Sequence, residues 1–345
     1  MGNDSILFTI AIPTWNRAAY LRLNLAQLES EIIGKPPLVE ILISDNCSTD
    51  ETAATVSEFI ARGMQMRYIR NPENIGSDHN IAQCFNEAAG QYVLILGDDD
   101  MLVDGALEKL LKELGGNRYG VVFLRPYGYD TDFRAERPAT RPDNAEYSSA
   151  GEFIAKIGAL AGLISSNVIN KSILAGENAD KYCGTNLVQT YLVYDAAIKS
   201  GRNLVMNEYL IAYKRNNWGY YPFSQVFVDR FWAVVDYFRQ RGLDQAAIAK
   251  LARNMLVGYY PFYIFKMRMK SADRLQEDYQ RFLARFRNNT WFWITLAPQF
   301  KLPRPLALIW GGIVVAVGRS LTGDAYRGFS FIRSLLARKL GRKTK

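Results

Sequence analysis

Short apolar runs alternate with longer segments whose apolar residues recur at helical spacing through the first third of the chain. Phe8–Ile12, Val39–Ile43, Met66–Ile69, Tyr92–Leu96 and Val121–Leu124 predict strands, the first stopped by Pro13. Between them, Tyr20, Leu21, Leu25 and Leu28 line one face of a helix over Arg17–Ile32, broken by Gly34, Pro36 and Pro37. Ser48 and Glu51 form a capping box for a helix to Arg62. Ser77–Ala89 and Gly105–Leu114 predict two more helices, the second capped by Asp104. This βαβα rhythm predicts an α/β fold with a mostly parallel sheet flanked by helices. Residues 126–150 are polar and contain proline, an excursion over the active face. Leu163–Ile169 and Leu204–Tyr213 read as extended, and Leu187–Lys199 as a helix. From Phe223 the signals are helical: Val226–Arg239, Gln245–Lys270 and Ala272–Arg287.

Ligands of such sheets bind beyond the carboxyl ends of the strands. Three polar groups fall there: Pro13-Thr14-Trp15-Asn16, Asp45-Asn46 and Asp98-Asp99-Asp100. Three adjacent carboxylates raise one another's pKa unless a positive charge lies among them. A hard dication with oxygen ligands, Mg²⁺ or Mn²⁺, suits them and would also grip phosphates. The bland reading is an acidic turn capping the next helix. There is no GxGxxG or GxxxxGK[ST] loop, which argues against a dehydrogenase or a P-loop enzyme.

Of the 345 residues 49% are hydrophobic, enough for a sizeable core and too many for a disordered chain. Cys47, Cys84 and Cys183 are too few and scattered for a disulfide framework or a zinc site, and fit a reducing compartment. The N-terminus runs into a strand-like segment with no basic lead, so no signal peptide is expected. The net charge of +8 is uneven. Residues 1–250 hold 24 Lys and Arg against 30 Asp and Glu, and residues 251–345 hold 18 against 4. The basic end surrounds the apolar run Leu306–Val317, too short for the ~20 residues of a bilayer span. Trp291, Trp293 and Trp310 suit a headgroup interface. Lys301, Arg304 and Arg319 flank the run, and Arg333, Arg338, Lys339, Arg342, Lys343 and Lys345 follow it. The pattern predicts a peripheral contact with anionic lipid on the inner, cytoplasmic face of the cell membrane. The competing reading is a buried core helix with a solvated basic tail. No nucleic-acid-binding motif accompanies the charge, so no nucleic acid partner is expected.

Ile10–Arg17 (IAIPTWNR), Ile41–Thr52 (ILISDNCSTDET), Arg70–Asn80 (RNPENIGSDHN) and Ala88–Asp100 (AAGQYVLILGDDD) resemble, in order and spacing, the catalytic core of the family 2 glycosyltransferases of the GT-A fold. The resemblance spans Ile6–Glu113. It implies a catalytic domain over 1–222, with nucleotide-sugar binding in 1–125 and the acceptor side in 126–222. Residues 223–345 would form a basic helical region. It also implies a nucleotide-diphosphosugar donor, Mn²⁺ or Mg²⁺, an inverting transfer and, among bacterial relatives, a glycan or lipid-linked glycan acceptor in surface-polysaccharide synthesis. Pro13, Thr14 and Asn16 would line the nucleotide pocket. Asp45 and Asn46 would meet base and ribose, Asn46 standing where the family often has aspartate. Asn74 and Gly76 match the turn beneath the site. Asp98 and Asp100 fit the D-x-D metal motif, and Asp99 also fits, as a donor contact or in another frame.

The family's acidic base at a helix start is replaced here by Gln189-Thr190. Glu177, Asp180 and Asp195 are the nearby carboxylates. Asp180, in a loop, is the preferred base, whereas Asp195 reads as an ion-pair partner of Lys199. His79, the only histidine, is a further base candidate or a packing residue. Two rivals remain at this level: a nucleotidyltransferase, disfavoured by the lack of a Gly-rich basic loop after the first strand, and a non-catalytic sugar-nucleotide-binding or scaffolding relative.

Overall fold

The computed structural model describes residues 6–34, 38–139, 143–215, 222–270 and 275–321. The chain divides into two compact units, Met1–Tyr221 with Arg230–Asp244 and Pro222–Asp229 with Gln245–Lys345. The basic tail from Arg333 to Lys345 and the side chain of Arg319 lie outside the described residues.

The first unit begins β1 (Phe8–Thr14), α1 (Ala18–Ile32), β2 (Val39–Asp45), α2 (Thr52–Ala61), β3 (Arg67–Arg70), α3 (Ser77–Glu87), β4 (Tyr92–Ile95). It continues β5 (Met101–Leu102), α4 (Ala106–Gly116), β6 (Val121–Tyr129), β7 (Ala145–Tyr147), α5 (Ala150–Ile157), β8 (Asn167–Asn170), α6 (Val188–Lys199), β9 (Asn203–Lys214) and α7 (Phe231–Arg239). The strands form one sheet in the order β3-β2-β1-β4-β8-β6-β9-β5, with β7 also on β9. Parallel pairing joins β3, β2, β1 and β4, and β6 with β9; β8, β5 and β7 run the other way. The sheet is therefore mixed and mostly parallel. Ile10, Ile12, Ile41, Ile43 and Leu94 are buried in its core, as nearly continuous apolar strands covered on both faces require.

Four local expectations are corrected. Pro13 does not end β1, which runs to Thr14 opposite Asp45. The Ala11 carbonyl faces β4 and that of Thr14 faces β2, so Pro13 points to the β4 side, where pairing stops at Ala11. Its missing N–H thus breaks no ladder bond. The Ser48–Glu51 capping box does not form: Ser48 Oγ accepts from Asn16 N at 2.9 Å, and Asp50 Oδ1 accepts from Thr52 N at 3.1 Å instead. Asp104 does not cap α4. Its carboxylate accepts from Arg134 and Gln27, while Glu31 of α1 accepts from the N–H groups of Gly105 (2.8 Å) and Leu107 (3.1 Å). A tertiary carboxylate supplies the cap that the local sequence advertised. The strand expected from Leu163 begins only at Asn167, because residues 158–166 turn twice as 3₁₀ helix.

The second unit is helical: α8 (Gln245–Asn254), α9 (Tyr260–Met269), α10 (Leu275–Phe286), α11 (Ala297–Lys301) and α12 (Arg304–Leu321). α12 packs closely on residues 255–259: a Cβ added at Gly318 would lie 2.1 Å from the Val257 carbonyl oxygen. Its opposite face, Leu306, Ile309, Ile313, Val317 and Leu321, is 52–63% exposed. This overturns a wholly buried core helix. No described helix is long and apolar enough to cross a membrane.

Candidate active site

The acidic triplet fills a tight turn between β4 and β5, closed by Asp100 N donating to the Gly97 carbonyl at 3.1 Å. β5 then pairs with β9, which brings Lys214 alongside. Each carboxylate is placed by a different element. Thr14 Oγ1 at the end of β1 donates to Asp98 Oδ2 at 2.9 Å. Arg17, just before α1, forks across two of them, Nη1 to Asp98 Oδ1 at 2.7 Å and Nη2 to Asp99 Oδ2 at 3.1 Å. Ser165 Oγ donates to Asp100 Oδ2 and accepts from Gly97 N, and Lys214 N donates to Asp100 Oδ1 at 3.1 Å. Asn24 Nδ2 donates to the Gly97 and Asp100 carbonyls, and the Tyr129 hydroxyl to that of Asp99. The turn is therefore held rigidly by side chains from β1, α1, β6 and the 3₁₀ turn before β8.

Burial dominates the electrostatics. It pushes the Asp98 carboxyl up to about 7 against the lowering pull of Arg17, with the Asp99 charge adding to the rise. Burial and then the Asp99 charge push Asp100 up to about 7 against the Ser165 hydrogen bond. Asp99 is the less buried member, its side chain 13% exposed beside 4% for Asp98. At neutral pH the triplet is an acidic pocket short of positive charge.

The β1 and β2 ends meet beside it. Asn16 holds a left-handed backbone (φ +53°), its side-chain oxygen accepting from Thr49 N at 2.7 Å. Pro13 is half-buried and Trp15 half-exposed. Asp45 is fully buried and satisfied: Oδ1 accepts from Ser48 N at 2.8 Å, and Oδ2 from the Tyr68 hydroxyl at 2.6 Å, 3.7 Å from Arg70 Nε. Asn46 donates to Asn74 Oδ1 at 2.8 Å and accepts from Ile75 N at 2.9 Å; Asn74 Oδ1 also accepts from Gly76 N. These contacts shape the turn into α3, where Gly76 takes φ +84°.

The structure thus brings Thr14, Asp98, Asp99 and Asp100 into one cluster, and Asn16, Asp45, Asn46, Asn74 and Gly76 into adjoining networks. It does not bring Asp180 to the triplet through any described contact. Asp180 is half-exposed, its Oδ1 3.9 Å from His79 Nδ1. Asp195 pairs with Lys199 at 3.0 Å, as its spacing predicts. Gln189 and Thr190 are buried near the start of α6. Arg17, Ser165 and Tyr129 escaped the sequence reading. Only Arg17 carried a signal there, as a cation next to the Thr14–Asn16 motif.

The Glycosyl transferase family 2 model matches residues 9–174. This segment holds the three motifs and Ser165 and is a family 2 glycosyltransferase domain, and the chain has a GT-A fold. An uncharacterized glycosyltransferase of Mycoplasma pneumoniae is 25% identical over 89% of this chain and 94% of its own length. The abequosyltransferase RfbV of Salmonella typhimurium is 36% identical, over 30% of this chain and 31% of its own. A glucosyltransferase of Campylobacter jejuni, named for GalNAc(5)-diNAcBac-PP-undecaprenol, is 27% identical over 30% and 31%. Among solved structures, S. aureus TarS 1–349 in complex with UDP-GlcNAc superposes with a TM-score of 0.60 at 15% identity, covering 93% of this chain and 91% of that one. A Pyrobaculum calidifontis mannosyltransferase in complex with GDP-Man and Mn²⁺ gives 0.51 at 13%, over 96% and 80%.

Proposed function

We propose that this chain moves a sugar from a nucleotide diphosphosugar to a hydroxyl of a glycan acceptor, with help from a divalent cation. The observation that carries the reading is the braced triplet of carboxylates at the carboxyl end of β4, two of them buried. The donor set fits Mg²⁺ or Mn²⁺, being all oxygen. Asp99 Oδ1 and Asp100 Oδ2 converge over Gly97, where a Cβ would lie 3.4 and 3.1 Å from them. Both oxygens of Asp98 accept from Thr14 and Arg17, and both of Asp100 from Ser165 and Lys214 N. The proposed holders are Asp99, more exposed than Asp98, with Asp100, whose Oδ2 it meets over Gly97, rather than the Asp98–Asp100 pair of the D-x-D reading. A bound dication would supply charge to offset the leaving diphosphate. The chain's own residues do the rest. Arg17 fixes two carboxylates and can turn toward phosphate. Thr14 and Ser165 orient the flanking acids. The exposed indole of Trp15 offers a face for a nucleobase.

The acceptor we propose is lipid-linked, reached at an anionic membrane surface. The exposed stripe of α12 supports this, as does its continuation to Trp293 and Ile294, which Trp310 joins by donating to the Ile294 carbonyl at 3.1 Å. The excess of 18 cations over 4 anions in residues 251–345 complements acidic headgroups. Flotation with phosphatidylglycerol vesicles should recover the protein, and Ile309→Lys with Ile313→Lys should release it. Equal binding to phosphatidylcholine alone would remove the charge argument.

Melting curves with UDP-, GDP-, CDP- and dTDP-sugars, with and without Mn²⁺, test the donor reading, since a ligand of the native state raises Tm. Metal-dependent stabilisation by one of them, followed by its turnover, is the expected outcome. A second reading, donor binding without transfer, draws on the uncharged Gln189-Thr190 pair at the start of α6; stabilisation without turnover would favour it.

A further inference from the structure

We propose that His79, Asp180 and Cys183 form a binding site for a borderline transition-metal dication, zinc foremost, separate from the carboxylate triplet. One ligand atom from each of the three lies within 4.8 Å of the other two, and this is the group of its kind among the described residues. The sequence reading set zinc aside because the cysteines are scattered. The fold changes that by laying the turn that carries Asp180 and Cys183 against the first turn of α3.

The geometry is specific. Residues 179–182 form a 3₁₀ turn, closed by Cys183 N donating to the Asp180 carbonyl at 3.0 Å. With three residues per turn, positions i and i+3 eclipse, so Asp180 and Cys183 share one face. Both flanks of the turn are tied to α3. Ala179 N donates to Asn86 Oδ1 at 2.9 Å and Asn86 Nδ2 to Asn178 Oδ1 at 2.8 Å. Downstream, Asn186 N donates to Asp78 Oδ2 at 2.8 Å. Asp78 neighbours His79 in sequence, so imidazole, carboxylate and thiol are presented by braced backbone rather than by a loose loop.

The chemistry of the set selects the ion. Nitrogen and sulfur donors disfavour Mg²⁺ and Ca²⁺ and favour Zn²⁺ or Co²⁺. Zn–N near ~2.0 Å and Zn–S near ~2.3 Å place tetrahedral ligands ~3.3–3.8 Å apart. The 3.9 Å between His79 Nδ1 and Asp180 Oδ1 needs only a small side-chain turn to reach that spacing. Three protein ligands leave a fourth position for water or an outside ligand. A cleft of about 480 Å³, lined by Ile75, His79, Gln83, Asn86, Glu87 and Asp180, adjoins it.

The test needs no sugar donor and does not rest on the transferase reading. Full-length protein stripped with chelator is titrated with Co²⁺ and followed by absorption. The expected result is a thiolate-to-cobalt charge-transfer band that Zn²⁺ bleaches and Mg²⁺ does not. Cys183→Ser should abolish the band and Cys47→Ser should keep it. His79→Gln and Asp180→Asn should each weaken Co²⁺ binding at least about tenfold, or 1.4 kcal/mol. No band in the wild type, a band that survives Cys183→Ser, or unchanged affinity in the His79 and Asp180 variants would overturn the site.

Discussion

Replacing Arg17 by methionine should destabilise the protein in a pH-dependent way. The guanidinium donates to Asp98 at 2.7 Å and Asp99 at 3.1 Å. Asp98 stands near 7 even with this partner, because burial outweighs the attraction. Removing one partner of a buried pair costs about 3–5 kcal/mol, since the remaining charge is left uncompensated. The Arg17 side chain is 32% exposed, so screening reduces this to about 2–3 kcal/mol. The sign follows from which form Arg17 favours. It stabilises ionised Asp98, so its contribution is present above about 7 and lost as pH falls through that value. Well below 7 the carboxyl is neutral with or without Arg17, and only the Asp99 contact and packing are lost, about 1 kcal/mol. Urea unfolding of wild type and Arg17→Met at pH 5.5 and pH 8 measures both terms. A gap about 1–2 kcal/mol larger at pH 8 supports the reasoning. The same gap at both pH values would refute it.

Ser165→Ala strips Asp100 of one hydrogen bond and leaves Gly97 N–H unpaired, so a loss of about 3 kcal/mol is expected by urea unfolding, larger at pH 8 than at pH 5.5 because the bond favours ionised Asp100. Tyr68→Phe should cost about 1–2 kcal/mol by removing the donor to buried Asp45, visible as a shifted urea midpoint with an unchanged slope. Gly318→Ala should lower stability by about 1–3 kcal/mol in thermal melts, because the new methyl meets the Val257 carbonyl and helical backbone must move. If the Gly318→Ala variant melts like wild type, α12 does not pack there.

The sheet was legible because parallel strands covered on both faces write continuous apolar runs, as in Tyr92–Leu96 and Val39–Ile43. The three polar motifs at strand ends were legible for the same reason: they follow those runs at once. What braces them was not legible. Ser165 stood inside LISSNVI, which reads as an extended apolar segment, and only the two 3₁₀ turns carry its hydroxyl to Asp100. Tyr129 and Lys214 reach the triplet by way of the β6–β9 pairing, a contact far apart in sequence. The capping failures have one cause. Ser48 and Asp104 were taken by tertiary partners, and a distant carboxylate, Glu31, took over one helix start. Local propensity set where those helices lie but not which groups close their ends. The His79–Asp180–Cys183 cluster likewise depends on a turn docking against α3 across about a hundred residues.

Calorimetric titration of nucleoside diphosphates into wild type and Asp99→Asn, with and without Mn²⁺, tests most directly whether acids at the end of β4 join a dication to a pyrophosphate. The account predicts that Mn²⁺ tightens binding of one nucleotide by about tenfold or more in the wild type, and that the gain disappears in Asp99→Asn. Nucleotide binding indifferent to Mn²⁺ in the wild type, or a metal effect that persists in Asp99→Asn, would contradict it.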